Sequence, residues 1–236
     1  MRTGVVVQVR MGSRRLPGKV LADLAGRPML ARILERLARA PAVDHVGVAT
    51  STDPRDDAVA ALCRELGVAC FRADDVDDVL SRFVACARAW DLDHVIRVTG
   101  DCPFVCPEAV GRLAEALSRE DADYATFDRK TLHIGIDPFS RRVLERFDAG
   151  AASEEEREHL ALLVEHHPDA FRIAIADAPP GHQHRPGWRL CVDLPEDLGF
   201  AQAVYGSFGD AAFATEELVG LLEARPELAE INAAAG

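Results

Sequence analysis

The chain lacks any apolar run approaching the ~18 to 20 residues of a membrane helix, and its N-terminus has no basic region followed by an apolar one. Those absences predict a cytoplasmic protein with no membrane partner. Positive charge is also in short supply. Lys and Arg number 27 against 39 Asp and Glu, and the net charge of -12 argues against broad, sequence-independent binding to DNA or RNA. The six cysteines (63, 70, 86, 102, 106 and 191) include no CxxC pair. This speaks against a zinc site, so the cysteines read as reduced thiols used mostly for packing. Internal repeats, low-complexity tracts and linkers are missing too, and 236 residues suit one large α/β domain spanning 1–236.

What is present begins at Gly4. The stretch GVVVQVRMGSRRLPGK opens with the β-branched residues Val5, Val6, Val7 and Val9, which predict a buried strand. The strand stops at a loop in which Arg10, Arg14, Arg15 and Lys19 place four cations within ten residues. Gly12, Ser13 and Gly18 let backbone N-H groups come close to an anion. In an acidic protein such a cluster focuses a field at one point, which suits a polyphosphate ligand better than a polymer. Two familiar phosphate loops do not fit. Five residues separate Gly12 from Gly18 and Lys19 is followed by Val20, so this is no Walker loop, and no GxGxxG follows the strand.

Downstream, strand and helix patterns alternate. Helical spacing over Met29 to Leu37 is followed by a strand at Val43 to Thr50, a helix at Arg55 to Leu66 and a strand at Val68 to Phe71. A helical face at Val79 to Trp90 leads to a strand at His94 to Val98. The economical architecture is a three-layer α/β fold, a mostly parallel sheet covered on both faces. Ligands in such sheets bind beyond the carboxyl ends of the strands. If the first and fourth of these strands are neighbours, the Arg10 to Lys19 loop and the loop Thr99 to Pro103 share one rim. Later, a helix is expected at Pro107 to Ser118, strands at Tyr124 to Phe127, Leu132 to Ile136, Phe171 to Ala176 and Trp188 to Asp193, and helices at Ser140 to Phe147 and Glu154 to Glu165. A helix from Asp197 and a last one capped by Thr215 complete the chain.

Asp101 and Asp193 each close a predicted strand. Two carboxylates beside a polyphosphate loop are what Mg2+ needs, since that ion takes one or two carboxylates plus phosphate oxygens and water. Taken singly, each Asp reads equally as a turn residue or helix cap.

Arg10 to Lys19 resembles, residue for residue, the R-x-G-S-x-R-L-P-x-K loop of cytidylyltransferases that make CMP-activated acidic sugars, and of their spore-coat (SpsF-like) relatives. The same pattern carries T-G-D-C-P, here Thr99 to Pro103, and a late V-D-x-P-E-D, here Val192 to Asp197. Ala49 to Thr52, Asp78 to Arg82 and Arg157 to His159 extend the likeness over nearly the whole chain. The resemblance implies a sheet of the nucleotide-diphospho-sugar transferase (GT-A-like) type and a nucleotidyltransferase activity that uses CTP. It assigns Mg2+ to Asp101 and Asp193, and catalysis to Arg10, Arg15, Lys19 and Asp101. Val9, Gly12, Ser13 and Arg14 fall in its nucleotide site, and a homodimer is expected through about 132–165. Asp78 and Arg82 either line the nucleotide pocket or form a helix start with an i, i+4 ion pair. Arg157 and His159 either reach the acceptor or decorate a solvated helix.

One departure bears on the acceptor. Where relatives commonly read Gly-Leu-Asp-Val-Glu-Val-Phe, this chain reads Gly135-Ile136-Asp137-Pro138-Phe139, and Pro138 argues against an ordinary central strand. Arg129, Lys130, His133 and Asp137 are the acceptor-side candidates there, with Arg141, His182, His184 and Arg185 as further cations. The expected reaction is in-line attack on the α-phosphorus of CTP by a small anionic acceptor, a phosphonate or an acidic sugar, with pyrophosphate leaving. The alternative is a glycosyltransferase using a nucleotide-sugar donor on the same sheet.

Overall fold

The computed structural model describes residues 1–74, 78–132, 135–150, 152–209 and 212–234. The valine run forms β1 (Thr3–Gln8), and the cationic loop follows it. A small hairpin of β2 (Asp23–Leu24) and β3 (Arg27–Pro28) leads into α1 (Met29–Leu37), which Pro28 opens as expected. Next come β4 (His45–Ser51), α2 (Asp57–Leu66), β5 (Ala69–Ala73), α3 (Val79–Ala89) and β6 (His94–Thr99). The second half adds α4 (Pro107–Arg119), β7 (Tyr124–Phe127), β8 (Ile136–Ser140) and α5 (Arg141–Asp148). It closes with α6 (Glu154–Glu158), α7 (Ala161–His166), β9 (Ile173–Ala176), α8 (Pro195–Phe208), α9 (Thr215–Ala224) and α10 (Pro226–Glu230).

Seven strands form one mostly parallel sheet in the order β5-β4-β1-β6-β8-β7-β9. β1 lies between β4 and β6, parallel to both, with Gln8 opposite Ala49 on one side and Thr99 on the other. The first and fourth predicted strands are therefore neighbours, and their two loops do leave the same rim. Period-two alternation along β1 sends Val5 and Val7 into a core shared with α1, α2, α4, α8 and α9, and Val6 into a second core with α3 and α5. Helices thus cover both faces, giving the three layers.

Four expectations need correction. The strand expected at Leu132 to Ile136 begins instead at Ile136, and it is central: β8 sits between β6 and β7, antiparallel to both, with Pro138 opposite Ile96. Thr99 N donates to Gly135 O at 3.0 Å, so residues 135, 137 and 139 face β6 with their backbone groups and Pro138 faces the other way. On that side the pairing with β7 is short, a bridge of Tyr124 with Phe139 beside a bond from Ser140 N to Asp123 O at 3.0 Å, so the proline spares the longer ladder to β6. The helix expected over Glu154 to Glu165 is broken into α6 and α7. Its first turn is fixed by a capping box in which Ser153 Oγ accepts from Glu156 N and Glu156 Oε2 from Ser153 N. Residues 188–193, expected as a strand, have no ladder partner at all. Thr215 starts α9 without capping it; Glu217 reaches back to Ala214 N at 2.7 Å.

Candidate active site

The cationic loop is shaped by a few bonds. Gly18, at φ 73°, donates to Met11 O at 3.0 Å, which folds the loop back on itself in a conformation that favours glycine. Met11 N in turn donates to Asp56 Oδ1 at 2.7 Å. Asp56 is buried, and its other oxygen accepts from Thr50 Oγ1, Ser51 N and Ser51 Oγ, so one carboxylate pins the loop to the end of β4. Lys19 begins a 3-10 turn and is only 8% exposed.

The Lys19 ammonium is where the predicted pieces meet. Nζ donates to Asp101 Oδ2 at 3.0 Å, to Asp193 Oδ1 at 3.0 Å and to Val192 O at 2.6 Å. Arg15 Nη2 adds a contact to Asp193 Oδ1 at 2.8 Å. Asp193 is held in turn by Asp197, which is fully buried and accepts from the N-H groups of Asp193 and Leu194, each at 3.0 Å. Arg189 and Asn232 also donate to Asp197. Burial by itself would raise the Asp197 carboxyl, but these donors outweigh it and hold it below its ordinary range.

These groups open on a cavity of about 490 Å³ at the carboxyl end of the sheet. Val9, Arg10, Ser13, Arg14, Arg15, Lys19, Arg82, Asp101, His159 and Asp193 all line it, so most of the expected nucleotide, catalytic and metal residues are brought together. Gly12 lies behind the loop, against the Arg55 side chain. Asp78 and Arg157 do not line the cavity. They pair with each other at 2.7 Å, Asp78 also caps α3 through Ser81 N, and Arg157 reaches Asp148 at 2.6 Å. Burial raises the Asp78 carboxyl, but the Arg157 and Ser81 donors pull it below the usual value.

The acceptor-side candidates are scattered. Asp137 is taken up by Arg97, whose Nη1 lies 2.5 Å from Oδ2. Arg129 pairs with Asp128 and, with Lys130 and His184, lines a separate groove beside β7. His133 lies outside the described residues. Arg141 faces Asp91 and Asp93, Arg185 pairs with Glu223, and His182 is buried against Glu216 at 2.9 Å. Burial works against the His182 imidazolium, but Cys106 and Glu216 more than offset it and raise its pKa.

Several residues in the cavity wall escaped sequence reasoning. Arg97 lines the cavity and donates Nε to Gln8 Oε1 at 2.7 Å; its one signal was a cation inside an apolar strand. Glu158, inside the Arg157 to His159 motif but given no role by it, also lines the cavity, 3.9 Å from Arg10. The cysteines need a correction: Cys102 and Cys191, expected to be reduced, form a disulfide across a separation of 89 residues. No spacing rule reveals that pair, because only the fold brings the two loops together. Cys63, Cys70, Cys86 and Cys106 are not disulfide-bonded. Among the described residues no helix is long and apolar enough to cross a membrane.

A three-layer sheet with a cationic loop and converging carboxylates at its carboxyl rim has the construction of a nucleotidyltransferase. Comparison with known proteins narrows the class: the cytidylyltransferase family pattern matches residues 5–224, and the chain belongs to that family. It is 32% identical over 230 residues to the spore coat polysaccharide biosynthesis protein SpsF of Bacillus subtilis, covering 95% of each chain. It is 30% identical over 243 residues to the 3-deoxy-manno-octulosonate cytidylyltransferase of Anaeromyxobacter sp. (strain Fw109-5), covering 86% of this chain and 96% of that one. Among solved structures, a cytidylyltransferase from Leptospira borgpetersenii superposes with a TM-score of 0.88 at 26% identity, covering 97% of this chain and 96% of that one. A CMP:2-keto-3-deoxy-manno-octonic acid synthetase complexed with CTP shares the fold at a TM-score of 0.70 and 22% identity, over 88% of this chain and 99% of the other.

Proposed function

We propose that this enzyme transfers CMP from CTP to a small anionic acceptor and releases pyrophosphate, with Mg2+ held by Asp101 and Asp193. The observation that carries this reading is the convergence of Asp101 Oδ2, Asp193 Oδ1 and Val192 O on one ammonium group. Lys19 is a stand-in cation there, and a set of hard oxygen donors is what Mg2+ accepts. Asp101 and Asp193 would hold Mg2+, which would supply positive charge to offset that of the α-phosphate. The protein's own share is positioning. Arg10, Arg14 and Arg15 face the leaving pyrophosphate, and Lys19 exchanges the carboxylates for phosphate oxygens as the nucleotide enters.

The acceptor falls to the wall made by α3, β6 and the end of α6, where Arg82 and Arg97 supply positive charge and His159 and Glu158 supply proton acceptors. A sugar hydroxyl needs its proton removed in the transfer, and we assign that step to His159, which lines the cavity. That favours an acidic sugar, in keeping with the octulosonate named for the relatives above. A phosphonate is the second reading, because its oxygen is already ionised and β8 lacks the Glu of the commoner pattern. The same reading carries a homodimer and a cytoplasmic location.

The test is pyrophosphate release with Mg2+ and each nucleoside triphosphate, against a panel of sugar acids and phosphonates. Release with CTP and a sugar acid is expected, whereas release with a phosphonate alone assigns the second acceptor class. Asp101→Asn should abolish release while leaving the circular dichroism spectrum unchanged; a fully active variant would sink the metal assignment.

A further inference from the structure

Asp101 and Asp193 stand 92 residues apart in the sequence, on loops of very different support. Asp101 follows β6, inside the sheet. Asp193 ends an irregular segment, 188–193, with no ladder partner. Asp197 fixes the segment to the start of α8, and Leu190 and Val192 are buried in the core, but few bonds tie it to Asp101 itself. One backbone bond, Val192 N to Asp101 O at 2.7 Å, joins the two loops directly, and Lys19 bridges their side chains. The remaining tie is covalent: Cys102, next to Asp101, is bonded to Cys191, two residues before Asp193.

The covalent tie gains weight in the reaction. Lys19 is the counterion both carboxylates share, each 3.0 Å from the same nitrogen. Once Lys19 turns to the nucleotide, the two carboxylates repel until a divalent cation joins them, and the repulsion is strong in a partly desolvated site. On the Asp193 side no strand ladder opposes such a force; core packing of Leu190 and Val192 does so only next to the carboxylate. Cys102 resists it, being wedged against Thr99 Oγ1 at 3.3 Å and against Gly135, where an added Cβ would meet Sγ at 3.0 Å. The sulfur bridge passes that rigidity to the Asp193 side.

We propose that the Cys102–Cys191 disulfide is a positioning crosslink that keeps the Asp101 and Asp193 carboxylates converged when Lys19 leaves them, so that reducing it weakens divalent-cation binding and turnover. The inference rests on the metal assignment made under the proposed function. Cys191 is partly exposed, which opens the bond to exchange. The thiolate of a small dithiol attacks one sulfur and its second thiol resolves the mixed disulfide. The protein gains two thiols, and the dithiol leaves as its own disulfide.

The experiment compares the protein after incubation with oxidised glutathione, the same protein reduced by a dithiol and desalted without oxygen, and Cys191→Ser. Thiol titration in denaturant should count four free thiols in the oxidised form and all six cysteines in the reduced one. Mn2+ binding followed by electron paramagnetic resonance should weaken about 10- to 100-fold on reduction, the range for losing a group that orients metal ligands. Pyrophosphate release at fixed Mg2+ should fall in parallel. Cys191→Ser should behave as the reduced protein and ignore the dithiol. Six free thiols after oxidation would overturn the proposal. So would equal Mn2+ affinity in the two states, including a case where reduction lowers only the melting temperature. If neither state releases pyrophosphate from CTP, the functional reading fails, while the Mn2+ titration still decides the crosslink.

Discussion

Lys19 illustrates how a residue found by motif acquires its role from its neighbours. It is buried, its three hydrogen-bond partners are all oxygens, and two of them are the proposed metal ligands. Lys19→Met should lower kcat on the order of 10²- to 10³-fold, the usual loss for one donor aimed at developing charge. Mn2+ binding should stay as tight or tighten, because the carboxylates lose the cation that competes for them. Steady-state kinetics with a parallel Mn2+ titration checks both, and near-normal turnover would remove Lys19 from the mechanism. Residues beyond the motifs were harder to find. Arg97 looked like one charged residue in an apolar strand, and its place in the cavity follows from its register opposite Asp137 on β8, a strand the sequence had placed elsewhere.

At the scale of elements, the α8 start shows a residue acting through another. Asp197 holds the backbone of Asp193 and Leu194 and collects Arg189 and Asn232 as well. Asp197→Asn, which puts an amide donor among donors, should cost on the order of 2 kcal/mol of stability, as for other buried groups left unsatisfied. It should also lower turnover by releasing Asp193. Denaturant unfolding and pyrophosphate release measure the two effects, and unchanged turnover with lost stability would confine Asp197 to the fold. The elements legible in advance were those whose signals are local: β1, α1, α4 and β7 carry their own apolar period, Pro starts or caps. The break between α6 and α7 and the loss of the 188–193 strand were not legible. Whether a strand-like sequence pairs depends on whether a free edge stands next to it.

Across the whole molecule, acidic groups are held ionised by specific donors. Glu156 is brought to about 2, first through the Ser153 backbone N-H and then through His166 and His167 despite burial. Asp78, Asp123 and Asp197 are likewise lowered, in each case against the upward push of burial. A carboxyl with a depressed folded pKa binds its proton more readily in the unfolded chain. Its contribution is therefore complete above the unfolded value of about 4 and lost as pH falls through the folded one. The carboxylate contribution to thermal stability should thus be lost between about pH 4 and 2. Calorimetry across that range checks it, and a melting temperature that stays flat would show these networks to be of no consequence.

The sequence alone determined the layered sheet, the phosphate-like loop, Asp101 at the end of its strand and the family, because each is written in contiguous residues whose spacing local physics reads. The tertiary structure decided which of them meet. It joined Lys19 to two aspartates, put Arg97 and Glu158 in the cavity, withdrew Asp78, Arg157 and Asp137 into ion pairs, and brought Cys102 to Cys191. Those outcomes depend on strand order and on packing between distant segments, and no short stretch of chain encodes either.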